Sequence, residues 1–254
     1  MAEKDKIKNN IGRLFYKDYY EEVDFNKVLF GNADKDNDLQ IDKTIKNSPL
    51  VKIEKPVKDV VSIFATVQYP GLVTGVGLSH DAKVGYKLGM HFDYTHGMPI
   101  VYGSSVKGVL RTYFEDFFLK NQDNKDDVKP LLELIFEGKN PEYDEKKDAP
   151  RYIPIYERDV FFDAVIVDSY KGHFLVDDSI TPHTEGPLKN PIPIKMLKIA
   201  PGCKMEFRFK LNDHKVNGRE YTKEEILDLF KNILGTVGVG AKTNVGYGQL
   251  KIEK

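Results

Sequence analysis

Between Val106 and Phe118 the apolar residues fall at 106, 109, 110, 113, 114, 117 and 118. That is the i, i+3, i+4, i+7 rhythm of an amphipathic helix, and Ser104 just ahead of it is a good N-cap. Thr222-Lys-Glu-Glu225 forms a capping box. It opens a second helix with Ile226, Leu229, Phe230 and Ile233 on one face, expected to end with Gly235 at C′. Pro130 to Glu137 predicts a short helix. Val60 to Val67 is β-branched and bounded by Tyr69-Pro70-Gly71, which reads as a buried strand. Cys203 to Leu211 alternates strictly, predicting a strand with one buried and one polar face. Val160 to Val167 is an apolar run expected of a central strand, residues 84–94 predict a shorter strand pair, and Tyr247 to Ile252 predicts the last strand. Residues 11–30, with Leu14, Phe15, Tyr19 and Val23, form an irregular helix-like appendage suited to packing on the body or on a partner.

The resulting order is strand, helix, strand, strand, helix, strand. It predicts an α+β protein with a ferredoxin-like (RRM-like) βαββαβ core. A long thumb-like insertion at about 169–195 separates the second and third strands. Residues 1–58 form an N-terminal helical extension, and residues 59–254 form the core domain.

Bulk properties narrow the function classes. The chain has 254 residues, 41% of them hydrophobic, and a formal net charge of −1. That balance gives no global attraction to a polyanion, so any nucleic-acid contact must come from local patches. A single cysteine, Cys203, excludes an internal disulfide and a cysteine-rich zinc site, and suits a reducing cytosol. The segment Met1–Ile7 is charged and unlike a signal peptide, and no apolar run reaches membrane-spanning length. A cytoplasmic protein without a membrane partner is expected.

Candidate chemistry concentrates in two places. Gly235-Thr-Val-Gly-Val-Gly-Ala-Lys-Thr-Asn-Val-Gly-Tyr-Gly248 holds five of the chain's 20 glycines. Such density implies positive φ angles or close backbone approach. With Lys242, Thr243 and Asn244 at its centre the loop can cradle phosphate; a tight structural turn is the alternative. It matches neither the Walker A nor the dinucleotide fingerprint. The second place is Gly103-Ser-Ser-Val-Lys-Gly-Val-Leu-Arg111. Here Lys107 and Arg111 share a helix face, and Ser104, Ser105 and free N–H groups can help bind an anion. The alternative is a solvated face with Arg111 paired to Glu115.

Asp177, Asp178, His183 and Glu185 in the insertion lack metal-site spacing, so a projecting recognition hairpin is expected and no metal. His80-Asp81, beside Gly75 and Gly77, could supply a general base for RNA cleavage or a surface hydrogen-bonding group.

Three segments occur in an order that resembles the RAMP superfamily of CRISPR effector subunits. They are Tyr69-Pro-Gly-Leu-Val-Thr-Gly-Val-Gly77, Gly97-Met-Pro-Ile-Val-Tyr-Gly-Ser-Ser-Val-Lys-Gly-Val-Leu-Arg111 and Gly238-Val-Gly-Ala-Lys-Thr-Asn-Val-Gly-Tyr-Gly248. Thr181-Pro-His183, Pro191-Ile-Pro193 and the strand at Met205 are more narrowly similar to the sixth subunit of the type III-B Cmr complex. The resemblance spans roughly residues 60–252. It implies a non-catalytic crRNA-binding subunit near the crRNA 3′ end, acting in antiviral defence beside backbone and cap RAMP subunits and the target RNA.

On that reading Ser104, Ser105, Lys107, Arg111, Gly238, Gly240, Lys242, Thr243 and Asn244 contact RNA backbone. The insertion, with His183, acts as a thumb against the guide–target duplex, and no cofactor is needed. Slicing members carry an aspartate shortly before the second segment. The comparable Gly85-Tyr-Lys-Leu-Gly89 has no acid, although Asp81 lies nearby. The rival reading is a metal-independent RAMP endoribonuclease that processes CRISPR RNA through His80 or His183. A third is a pure protein–protein scaffold.

Overall fold

The computed structural model describes residues 10–18, 45–55, 58–77, 86, 88–121, 125–141, 143, 151–181 and 193–253. Within them the chain opens with a helical turn, α1 (Ile11–Arg13), continued by a wider π turn over Leu14–Asp18. There follow β1 (Val61–Val67), β2 (Val76–Gly77), β3 (Leu88–Gly89) and β4 (Ile100–Val101), then α2 (Gly103–Asn121) and α3 (Lys125–Glu137). Next come β5 (Val160–Phe161), β6 (Ala164–Asp168), β7 (Leu175–Ile180), β8 (Ile194–Ile199) and β9 (Lys204–Lys210). The chain ends with β10 (His214–Val216), β11 (Arg219–Tyr221), α4 (Lys223–Val237) and β12 (Leu250–Ile252).

The main sheet is antiparallel and runs β12-β1-β9-β6-β4, with β5 also paired to β9. Counting β1, β6, β9 and β12 as first to fourth, their spatial order is fourth, first, third, second. Ile63, Ala65 and Val67 of β1 and Met205, Phe207 and Phe209 of β9 are buried. They meet an aromatic cluster from the helices, in which Phe230 of α4 lies 5.5 Å from Phe209 and 6.0 Å from Phe136 of α3. Offset and tilted aromatic pairs of this kind add to simple area burial. The N-terminal turn belongs to the same core, because Phe15 is fully buried against Tyr86 and Phe92.

A second sheet, β2-β3-β8-β7, stands beside the first. In it β7 and β8 pair antiparallel from Leu175↔Ile199 to Ile180↔Ile194. The expected insertion is thus a hairpin at its base, and its tip, including His183, lies outside the described residues.

Several expected boundaries move for identifiable reasons. Ser104 is not the N-cap: α2 already begins at Gly103, and the Tyr102 carbonyl accepts from the Ser105 and Val106 N–H groups. The Val160–Val167 run breaks between Phe161 and Ala164, where Asp163 turns to accept from the Gly103 N–H at 2.7 Å. The third helix starts at Lys125, with Pro130 inside it, because Asp126 and Asp127 favour a first turn. Asp127 is buried and accepts from Asn217 and the Tyr221 hydroxyl.

The Thr222–Glu225 capping box is present, but α4 continues past Gly235 to Val237 and ends at Gly238, φ 70°. Gly235 serves packing instead: a Cβ there would sit 3.0 Å from Ile252. The last strand begins at Leu250 rather than Tyr247. The expected polar face of β9 is covered, since Glu206 and Arg208 are both buried beneath residues 53–55.

Candidate nucleic-acid interface

The C-terminal glycine loop is built on its own backbone contacts. Val239 N–H donates to the Gly248 carbonyl at 3.0 Å, and Gly248 N–H donates to the Gly71 carbonyl at 2.8 Å. Ala241 N–H donates to the Val73 carbonyl at 2.7 Å. These approaches leave no room for side chains. A Cβ on Gly238, Gly240 or Gly248 would fall 2.3, 2.5 or 1.9 Å from the carbonyl oxygens of Gly248, Val73 and Val239. Gly238, Gly240, Gly246 and Gly248 all have positive φ, the conformation glycine adopts without steric cost. The turn reading therefore explains the glycines themselves.

It does not explain the loop's apex. Lys242 holds a left-handed conformation, φ 61° and ψ 32°, which is uncommon for a residue with a side chain. A 3₁₀ turn over Thr243–Val245 follows it. Lys242 and Asn244 are exposed, and Lys242 has no acidic partner among the described residues. The N–H groups of Lys242, Thr243 and Asn244 likewise meet no acceptor there. A left-handed residue followed by a 3₁₀ turn, with one cation and three donors that lack partners among the described residues, has the elements from which anion-binding concavities are built.

The loop is joined to the hairpin. Tyr247 Oη donates to Asp178 Oδ2 at 2.8 Å, and Lys198 Nζ donates to the same oxygen at 2.5 Å. Burial alone would raise the Asp178 carboxyl. Hydrogen bonds from Lys198, Tyr247 and the Ser179 N–H outweigh it and hold the group below the usual carboxylate range. Burial and the same contact push the Tyr247 hydroxyl up to about 12. Asp177, one residue earlier, pairs with Lys46 at 2.7 Å. The two insertion acids thus hold lysines, and among the described residues no three His, Cys, Asp or Glu side chains gather as a metal site.

The start of α2 is a weaker anion site than its sequence suggests. Asp163 already occupies the positive end of the helix through the Gly103 N–H. Ser104 and Ser105 are exposed beside it. Lys107 Nζ lies 5.6 Å from the centre of the Phe161 ring, a cation–π distance. Arg111 pairs with Glu137 of α3 at 2.5 Å, not with Glu115. Glu137 also receives Lys139, and these two hydrogen bonds hold its carboxyl below the usual range. Segment 69–77 links the two places. Val73 bridges to Ala241, while the Thr74 hydroxyl accepts from the N–H of His91, whose ring stacks on Tyr102 at 4.2 Å.

His80, Asp81 and His183 lie outside the described residues. Asp163 and Lys198 are not singled out by the sequence, and Asp178 stands out there only as one of the insertion's acids. Their only signals are the residues they serve, a glycine at a helix start and a tyrosine between two glycines. No helix among the described residues is long and apolar enough to cross a membrane.

A family model described as the RAMP superfamily matches residues 64–251. No curated protein matches the chain. Among solved structures, a chain from the type III-B Cmr-beta complex bound to cognate target RNA is 19% identical with a TM-score of 0.55. That match covers 98% of this chain and 87% of the other, and it is a likeness of fold. Cmr6 from Pyrococcus furiosus is 20% identical over 77% of this chain and 98% of its own, with a TM-score of 0.38. A chain of the apo Cmr-beta complex is 10% identical over 76% and 96%, with a TM-score of 0.46.

Proposed function

Because this chain belongs to the RAMP superfamily, we propose that it is a non-catalytic, crRNA-binding subunit of a type III-B CRISPR effector complex. Its place is near the crRNA 3′ end, beside backbone and cap RAMP subunits, where it also meets target RNA. The observation that carries this reading is the apex of the glycine loop, where Lys242 and three N–H groups have no partner among the described residues. Phosphate contacts of this kind position a strand without reading its sequence. The sheet order and the packing of α2 against α4 support a ferredoxin-like βαββαβ core, with the β7–β8 hairpin as the base of a thumb. Ser104 and Ser105 extend the same contact, whereas Arg111 is held by Glu137 and contributes less.

The rival endoribonuclease needs an accessible acid–base residue. His214 and Asp159 form a 2.6 Å pair, yet both side chains are buried, at 6% and 0% exposure, out of reach of a strand. Incubation of the purified chain with labelled repeat RNA, with and without chelator, tests the reading. Retention without cleavage is expected. Site-specific cutting that disappears in His80→Ala or His183→Ala would establish the nuclease instead.

A further inference from the structure

The N-terminal turn, residues 90–94 and the residue before α2 enclose a cleft of about 730 Å³ that the glycine loop does not line. This volume lies in the range of small-molecule and cofactor sites. Its walls carry the rings of Tyr16, His91, Phe92, Tyr94 and Tyr102. Tyr16 and Phe92 meet edge to face at 5.8 Å, and His91 and Tyr102 stack with their rings nearly parallel, 4.2 Å apart. Tyr94 is 99% exposed and Tyr102 39% exposed, so neither is held there by core packing alone. Arg13 and Lys17, spaced i, i+4, supply cations on the same wall, Arg13 being shared with Asp18 at 3.3 Å. Among the described residues lining the cleft, the one acid is Asp93, which is engaged by the His96 ring at 2.8 Å. Burial, partly opposed by Asp163, holds the His91 imidazole below its usual value, which favours a neutral stacking surface.

A flat aromatic ligand carrying adjacent negative charge fits these walls. We propose that the cleft holds one unstacked base of a single-stranded RNA against Tyr94 and Tyr102, with its phosphate at Arg13 and Lys17. The inference rests on the RNA-binding reading and deepens it. Asn10, Gly12, Arg13, Tyr16 and Lys17 precede the residues matched by the family model, so this chain's own extension completes the site. Stacking on aromatic side chains tolerates any base, because every base has a π-face.

The test uses the full chain and two short probes of equal length, an oligouridylate and its abasic sugar–phosphate counterpart. The wild type should prefer the base-bearing probe by about tenfold. Tyr94→Ala and Tyr102→Ala should bind both probes alike, and Tyr102→Phe should keep the preference. Lys242→Ala should weaken both probes equally. Tyr94 is almost fully exposed, so its replacement tests the site without unfolding it. Unchanged preference in both alanine variants would overturn the inference while leaving the glycine-loop reading intact. A wild type that binds neither probe would overturn the RNA reading itself. Binding of a partner subunit at this cleft with no loss of base preference would also overturn the inference.

Discussion

Arg208→Leu is expected to destabilise the protein by about 3–5 kcal/mol, the range for removing one partner of a buried ion pair. The Arg208 guanidinium donates to Glu206 Oε2 at 2.9 and 2.8 Å and to the carbonyls of Glu54 and Ile53 at 3.0 and 2.6 Å. Its loss leaves the buried Glu206 carboxylate with only Ser62 and the half-exposed Lys55, and frees the Ile53 and Glu54 carbonyls at once. Replacing both partners, as Glu206→Met with Arg208→Leu, should cost much less, since no lone charge remains buried.

The pH dependence follows in sign. Burial would raise the Glu206 carboxyl, but hydrogen bonds from Ser62 and Arg208 outweigh it and hold the group below its usual value. Its contribution is therefore present at neutral pH and lost as pH falls through the folded value. In Arg208→Leu the burial contribution gains weight, so protonation at falling pH relieves the variant. The stability gap should narrow on acidification. A gap that widens toward acid in denaturant titrations would contradict the assignment.

Gly248→Val should cost about 3 kcal/mol or more, with loss of the loop's structure. Gly248 has φ 72°, and a Cβ would lie 1.9 Å from the Val239 oxygen. Backbone strain at such a position costs of order 1–3 kcal/mol. The displacement also breaks the Val239–Gly248 and Gly248–Gly71 hydrogen bonds, each worth about 1 kcal/mol net. Gly246→Ala is the control. Its φ is 95° but the nearest atom is Pro70 Cδ at 3.7 Å, so only the conformational cost of about 1–2 kcal/mol applies. Equal losses in the two variants would show that close backbone approach is not what requires glycine at 248.

The sequence made the periodic elements legible and hid those fixed by distant partners. The amphipathic pattern of α2, the capping box of α4 and the β-branched run of β1 arise from local rules, and they stand at or near their expected places. The end of α4 was missed because two glycines compete for it. Gly235 is spent on the approach to Ile252, and Gly238 takes the positive φ. The buried polar face of β9 depends on residues 53–55, roughly 150 positions away, which no alternation pattern reveals.

The β10–β11 hairpin was overlooked although Asn217-Gly218 is a strong two-residue turn signal, with φ of 50° and 85°. At the candidate site, glycine density in the sequence has two separate structural sources. Most of the glycines serve the protein's own turn, while the apex around Lys242 presents a cation and N–H groups without partners among the described residues. At the helix start, the carboxylate of Asp163, 60 residues away, takes up the Gly103 N–H, a contact that no local pattern reveals.

The central claim is that this apex holds RNA backbone without reading bases, and the salt dependence of RNA binding tests it most directly. Affinities of wild type and Lys242→Ala for several single-stranded RNAs should be measured from low to high salt. The variant should bind every sequence more weakly by a similar factor, and its slope of log K against log salt should be shallower by about 0.7, the value for one phosphate contact on a single strand. An unchanged slope, or weakening confined to one sequence, would contradict the account.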